Sequence, residues 1–237
     1  MKRLLLVISL SLPLLLQASE SVHLERAPIN SSDQASLQRG AKTFVNYCLN
    51  CHSAAYMRYN RLSEIGLNDT QIKDSLLFAG EKIGETMKVA IQPTDAKVWF
   101  GVAPPDLSVV ARARGVDWLY GYLRGFYRDS SRPSGWNNTV FPNVGMPHVL
   151  WQLQGQQVLK PGLHSDVAQP ALRLEKPGLL SPKEYDATIA DLVNYLAFMA
   201  EPGKQQHQKL GLIVLLFLSL LFVLAYYLKK EFWKDVH

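Results

Sequence analysis

The chain has 237 residues, 48% of them hydrophobic, and a formal net charge of +5 from 25 Lys and Arg against 20 Asp and Glu. No basic block gathers that excess, so a nucleic-acid partner is not expected, and two cysteines are too few for a disulfide-built scaffold. No P-loop, H-E-x-x-H or G-x-S-x-G run is present to suggest phosphate, metalloprotease or serine-hydrolase chemistry.

At the N-terminus, Lys2-Arg3 precedes an apolar run from Leu4 to Leu16 and then Gln17-Ala18-Ser19. That is the pattern of a secretory signal peptide cut after Ala18. The run is short of the roughly twenty residues a spanning helix needs, and an organellar transit peptide would be Arg- and Ser-rich and amphipathic. The expectation is export to a bacterial periplasm. Disulfides form there, but both thiols have another use, so no structural disulfide is expected.

A helix capped within Ser31-Ser32-Asp33 is expected next, with Leu37, Ala41, Phe44, Val45 and Cys48 recurring at three- and four-residue steps. It delivers Cys48-Leu49-Asn50-Cys51-His52, the C-x-x-C-H spacing of c-type haem attachment. The two thiols add across the haem vinyl groups, and His52 becomes the proximal iron ligand. A zinc site would need two further Cys or His ligands at matching spacing, and a thioredoxin-like pair would sit in a βαβ pattern. Neither pattern occurs, so the expected cofactor is one covalently bound haem c.

A second helix is expected from about Asp69, with Ile72, Leu76 and Leu77 on one face. Pro104-Pro105 ends whatever precedes it, because proline cannot donate to a helix interior. Asp106 is placed to cap a short helix through Arg114, closed by Gly115, and Asp117 begins another carrying Trp118, Tyr122, Leu123 and Phe126. Residues 129–180, rich in Pro, Gly, Asn and Gln, read as loops over the haem, with short strands at Leu150 to Leu159 and Ala171 to Glu175. Asn30-Ser31-Ser32 and Asn137-Asn138-Thr139 match the glycosylation pattern but read as ordinary loop sequence in a bacterial chain. Ser181-Pro182-Lys183-Glu184 combines a capping box with proline at the first helical position; Tyr185, Ile189, Leu192, Val193 and Leu196 follow at helical spacing, and Glu201-Pro202-Gly203 breaks the chain.

Leu210 to Leu228 is uncharged and apolar all round, which fits one transmembrane helix. Tyr226, Tyr227 and Trp233 suit an interfacial belt. Lys229, Lys230 and Lys234 direct the tail to the cytoplasm; Lys204, His207 and Lys209 oppose them, and export of the N-terminus decides. The expected organisation is a signal peptide at 1–18, a periplasmic haem domain at 19–209, an anchor at 210–228 and a cytoplasmic tail at 229–237. Without Lys2 and Arg3 the charge is +3, and without the tail's three lysines, Glu231 and Asp235 the exported domain carries +2.

A haem with one histidine has a sixth position to fill, and a sulfur or nitrogen ligand there makes an electron carrier. Met57 follows His52 too closely to reach the far face, Met199 falls near the apolar stripe of the last domain helix, and Met87 has Thr86 and Lys88 beside it and no apolar wall. Met146 lies in Phe141-Pro142-Asn143-Val144-Gly145-Met146-Pro147, where Gly145 permits close backbone approach and Pro147 stiffens the loop. Met146 is the preferred ligand; Met87 and a bis-His site with His148 stand as alternatives.

The Cys48–His52 motif, Ala103-Pro104-Pro105-Asp106-Leu107-Ser108, Arg112-Ala113-Arg114, Gly145-Met146-Pro147, Ala200-Glu201-Pro202 and the C-terminal anchor, in that order, resemble the cytochrome c1 family of the bacterial quinol–cytochrome c reductase (bc1) complex. The resemblance implies a mainly α c-type cytochrome fold with long loop insertions and a single C-terminal membrane helix; the sequence itself has long segments beyond a minimal haem fold, including residues 53–103 and 147–180. It implies Met146 as sixth ligand, Pro104 and Pro105 lining the haem, and Arg114 pairing with a propionate. A buried propionate needs a cation and arginine suits carboxylates, but on sequence alone Arg112 and Arg124 serve equally. The extra cysteine pair of some members is missing, so another device must stiffen the loops.

The implied role is to accept an electron from a Rieske iron–sulfur subunit beside a cytochrome b subunit and pass it to a periplasmic cytochrome c. That role belongs to a dimeric complex in the bacterial inner membrane, with lipid around the single-pass anchor. The rival readings are a free-standing membrane-anchored shuttle and a haem ligand sensor with an open sixth site.

Overall fold

The computed structural model describes residues 24–160 and 172–235. The signal peptide expected at 1–18 lies outside the described residues, as do Ala171 and the last two residues of the tail. Helix dominates, and the described strands form three two-stranded antiparallel ladders.

Helix α1, Gln34–Thr43, begins where Asp33 accepts a hydrogen bond from the Ser36 amide at 3.0 Å. It widens into a π-helical turn, Phe44–Cys48, where the Leu49 amide bonds the Phe44 carbonyl. The expected stripe is its buried face: Leu37, Ala41, Phe44, Val45 and Cys48 are all in the core. The longest domain helix, Pro182–Ala200, has the expected capping box: Ser181 and Glu184 exchange backbone and side-chain hydrogen bonds. It buries Tyr185, Ile189, Leu192, Val193 and Leu196. These two helices cross closely at Gly40, where a Cβ would lie 2.1 Å from the Asp191 carbonyl oxygen. Phe44 packs on Tyr195 with ring centroids 5.6 Å apart, and Arg39 grips Asp191 with two hydrogen bonds of 2.6 and 3.0 Å.

Residues 53–103 hold the helix expected from Asp69, and regular structure also where only loop was expected around it. They hold β1 (Ala54–Arg58), a 3₁₀ segment (Tyr59–Ile65), α2 (Asp69–Ser75), β2 (Thr86–Met87) and α3 (Pro93–Phe100). α2 opens on a capping box between Asn68 and Gln71 and buries Ile72. β1 pairs with β2, which places Met87 opposite Ala54 and fully inside the core.

Two short helices follow, α4 (Val110–Arg114) and α5 (Val116–Arg124), hinged at Gly115, whose φ of 88° favours glycine. Asp106 is not the cap of α4; Val109 holds that position, and the Asp106 carboxylate serves the loop described below. Phe126 is not helical either. α5 stops at Arg124, and Phe126–Arg128 is strand β3, paired with β4, Trp136–Asn138.

The tract 129–180 is thus more than loop. After β4 come a single helical turn, α6 (Trp151–Gln154), and a ladder of β5 (Gly155–Leu159) with β6 (Leu172–Pro177). The strand expected from Leu150 therefore begins at Gly155. The long domain helix is α7, and Tyr185 ties it to α5 by donating to the Leu123 carbonyl at 2.9 Å. After a break at Glu201-Pro202-Gly203, α8 runs Lys204–Phe232. Its stretch Leu210–Phe232 is long and apolar enough to cross a membrane, reaches past the expected end at Leu228, and is not buried against the rest of the chain.

Candidate haem site

Between the end of α1, the Pro104–Leu107 segment, α5 and the 141–149 loop lies an apolar cleft of about 470 Å³. That is within the range of roughly 300–1,000 Å³ found for cofactor sites. Cys48, Cys51, His52, Pro104, Pro105, Arg114 and Met146 all line it. A larger cavity of about 790 Å³, lined by Glu64, Arg112 and Glu201 among others, has no Cys, His or Met in its wall. The smaller cleft therefore carries the chemistry.

The π-helical turn at Phe44–Cys48 feeds Cys48 into the cleft, and the next turn follows because the amides of Cys51 and His52 both bond back to the Cys48 carbonyl, at 3.1 and 2.9 Å. Burial pushes the Cys48 thiol up to about 12, so it is neutral. Burial also lowers the His52 pKa, against the opposing hydrogen bond to Pro105, and the ring is neutral at pH 7. His52 Nδ1 lies 2.7 Å from the Pro105 carbonyl oxygen. A carbonyl only accepts, so Nδ1 carries the proton and Nε2 keeps its lone pair, the arrangement usual for a metal-binding imidazole.

The Pro104–Ser108 segment is braced for that task. The Asp106 carboxylate accepts from the amides of Ala55 and Ser108, both at 2.8 Å. Ser108 Oγ accepts from the Tyr56 amide at 3.1 Å, and the Leu107 amide donates to the Ser53 carbonyl at 2.8 Å. Two chain segments are laced together beside His52, and neither proline needs to donate.

Of the four methionines among the described residues, Met146 alone lines the cleft. Met57, Met87 and Met199 are buried in the core. The lack of an apolar wall expected for Met87 is contradicted, since the β1–β2 ladder supplies one. His148 is 2% exposed, stacked on Phe126 at 4.8 Å and edge-on to Trp136, outside the cleft lining. Its burial lowers the pKa to about 4. Gly145 does approach a neighbour closely, but that neighbour is Val102 on the opposite lip, 2.9 Å from where a Cβ would be.

The three arginines that sequence left equal are separated by position. Arg112 reaches Glu201 at 3.8 Å, and Arg124 is held by Asp186 and Glu25. Arg114 lies on the cleft wall with its guanidinium 5.1 Å from the Trp118 ring and 5.9 Å from that of Phe141.

Sequence reasoning missed Asn137 and Asn138. Both are buried in β4, where they hold the Met146 loop. Asn138 Oδ1 accepts from the amides of Val140 and Phe141 at 2.9 and 3.1 Å, while its Nδ2 donates to the Tyr122 carbonyl at 2.7 Å. Asn137 Oδ1 accepts from the Asn143 amide at 2.8 Å, and Arg132 donates to Asn143 at two atoms. These hydrogen bonds tie the loop to β4 and α5. The only hint in the sequence was an Asn-Asn pair that looked like a glycosylation pattern.

The donor set fits a haem: two thiols three residues apart, an imidazole with one nitrogen tied to the backbone, a thioether, an arginine and an otherwise mainly apolar wall. The Cytochrome C1 family model matches residues 24–172 and 180–236. The chain is 50% identical to a protein of Nitrosomonas europaea named ammonia monooxygenase gamma subunit, over 100% of this chain and 98% of that one. It is also 50% identical to the cytochrome c1 of Allochromatium vinosum, over 94% and 93% of the two chains. The cytochrome c1 of Rhodospirillum rubrum is 31% identical over 86% and 83%.

Proposed function

The chain belongs to the cytochrome c1 family, membrane-anchored electron carriers with one covalently bound haem c, and we propose that it takes an electron from a Rieske iron–sulfur subunit and passes it to a periplasmic cytochrome c. A bound haem supplies one-electron exchange at its iron, and methionine–histidine ligation raises its potential. Everything else is done by residues of this chain.

Cys48 and Cys51 hold the group as thioethers. His52 offers Nε2, with the Pro105 carbonyl fixing the tautomer, and Met146 offers its sulfur from the loop across the cleft. Pro104 and Pro105 wall the group without amide protons to satisfy. Arg114 provides the cation for a propionate, and among the described residues no carboxylate stands within ion-pair distance of it. With Met146 as sixth ligand the iron would have no open position, which favours an electron carrier over a site that binds small ligands.

The observation that carries this reading is the gathering of Cys48, Cys51, His52 and the one cleft methionine around a single apolar volume. The haem domain belongs in the periplasm of a bacterium, with α8 as a single-pass anchor in lipid and Lys229, Lys230 and Lys234 on the cytoplasmic side. The partners are a cytochrome b subunit and an iron–sulfur subunit in a dimeric complex.

Two experiments test the proposal. Denatured full-length chain keeps a haem-dependent peroxidase stain, and Cys48→Ser with Cys51→Ser abolishes it; survival of the stain in the double variant contradicts covalent attachment. Mild-detergent purification brings down cytochrome b and iron–sulfur subunits. The name of the Nitrosomonas europaea relative points to a different assembly, and recovery of monooxygenase subunits in their place would favour it.

A further inference from the structure

Asp106 has no part in the transfer proposed above, yet its carboxylate bonds chain segments on both sides of the contact between His52 and Pro105. Oδ1 accepts from the Ser108 amide and Oδ2 from the Ala55 amide, both at 2.8 Å. One residue earlier, the Pro105 carbonyl meets His52 Nδ1 at 2.7 Å. Neither Pro104 nor Pro105 can donate to a strand ladder, so side chains stand in for one. Asp106 bonds Ala55, and the hydroxyl of buried Ser108 bonds Tyr56 at 3.1 Å. A backbone bond from the Leu107 amide to the Ser53 carbonyl completes the join at 2.8 Å. Ser53 is fixed from its other side too, where its hydroxyl accepts from the Val89 amide at 3.1 Å. The carbonyl and the imidazole are thus held together by the residues that follow each of them. The carboxylate also puts a negative charge near the ring, where it favours positive charge on the imidazole. Among the described residues, no cation stands within ion-pair distance of Asp106 to cancel that charge.

We propose that Asp106 is a positioning residue that holds the Pro105 carbonyl on His52 Nδ1 and, through the imidazole, favours the oxidised haem. The inference rests on His52 as the haem ligand. A carbonyl that draws on the Nδ1 proton leaves more electron density at Nε2 and makes the ring a stronger donor. Ferric iron depends on that density more than ferrous iron does, so the bond opposes reduction. A fixed negative charge acts in the same direction, because the oxidised haem carries one more positive charge. Position and charge therefore have one sign. Asp106 is exposed, so solvent and salt screen its field and keep the charge effect modest.

The test uses the full-length, haem-loaded chain in detergent at fixed pH and salt. Two quantities are read: the equilibrium constant for one-electron reduction, and the exchange rate of the His52 Nδ1 proton, followed by NMR in the ferrous state. Asp106→Asn removes the charge and one of the two acceptor atoms. The reduction constant rises about two- to fivefold, the size of one screened charge near a protein surface, and the Nδ1 proton exchanges faster. Ser108→Ala takes a bond from the same join without touching any charge, and it leaves the constant unmoved. Asp106→Glu keeps the charge on a side chain one methylene too long to hold both amides. It replaces Asp106→Asn if that variant does not fold, and it too speeds exchange of the Nδ1 proton. An unmoved or lowered constant in Asp106→Asn, an equal rise in Ser108→Ala, or unchanged proton exchange in either Asp106 variant overturns the role of Asp106 alone. An unsubstituted chain without covalent haem overturns the reading of the site, and this inference with it.

Discussion

Asn138, 1% exposed, ties the loop that carries Met146 to α5: its amide oxygen accepts from two loop amides and its amide nitrogen donates to the Tyr122 carbonyl. Asn138→Ala leaves the amides of Val140 and Phe141 and the Tyr122 carbonyl without this partner, at about 1–3 kcal/mol for a group that stays buried and unpaired. A loss of about 3 kcal/mol in unfolding free energy is expected from denaturant titration, together with carbon monoxide binding that the unsubstituted chain resists. At the ligand itself, Met146→Leu loses the near-infrared band and lowers the potential, while Met87→Leu and His148→Ala keep the band. A band lost in Met87→Leu and kept in Met146→Leu would reverse the assignment. The C-x-x-C-H run and the glycine–methionine–proline loop were legible because their meaning is local. Asn138 and Tyr122 were not, since the bond from Asn138 to Tyr122 and that from Tyr122 to Met146 span 16 and 24 residues and depend on the fold.

At the scale of elements, α1 and α7 make the frame on which the cleft is hung. Leu192 and Leu196 of α7 face both the core and the cleft. Gly40→Ala puts a methyl 2.1 Å from a backbone oxygen, which cannot rotate away. The helices must part, and overpacking of this kind costs about 1–3 kcal/mol. The thermal midpoint therefore drops, and the Soret band broadens because Leu192 and Leu196 move with α7. Ser181→Ala removes the α7 cap, and a loss of about 1 kcal/mol is expected with the haem spectrum unchanged. Both helices were readable from apolar period and capping chemistry. The three-residue strands β3 and β4 were not, because so short a run has no period. Outside the helix expected from Asp69, residues 53–103 look like loop for a related reason: their elements are short and take their stability from packing, with Met87 inside the core.

Taken whole, the molecule divides into a haem domain with its own core and a helix whose Leu210–Phe232 stretch is unburied and has a mean hydropathy of 2.6. Such a surface requires lipid as its solvent. A chain ending near Gln208 is expected to be a soluble, haem-loaded periplasmic protein; if it still pellets with membranes when expressed without its partners, a single anchor is the wrong description. The anchor and the domain's apolar periods were plain in the sequence, whereas the assembly that surrounds them was implied only by resemblance. Its most direct test is the rate at which quinol reduces this chain's haem in membranes with and without the cytochrome b and iron–sulfur subunits. The account predicts rapid reduction with both present, and loss of it when either is deleted while the haem stays attached. Reduction at an unchanged rate in membranes lacking both subunits would contradict it.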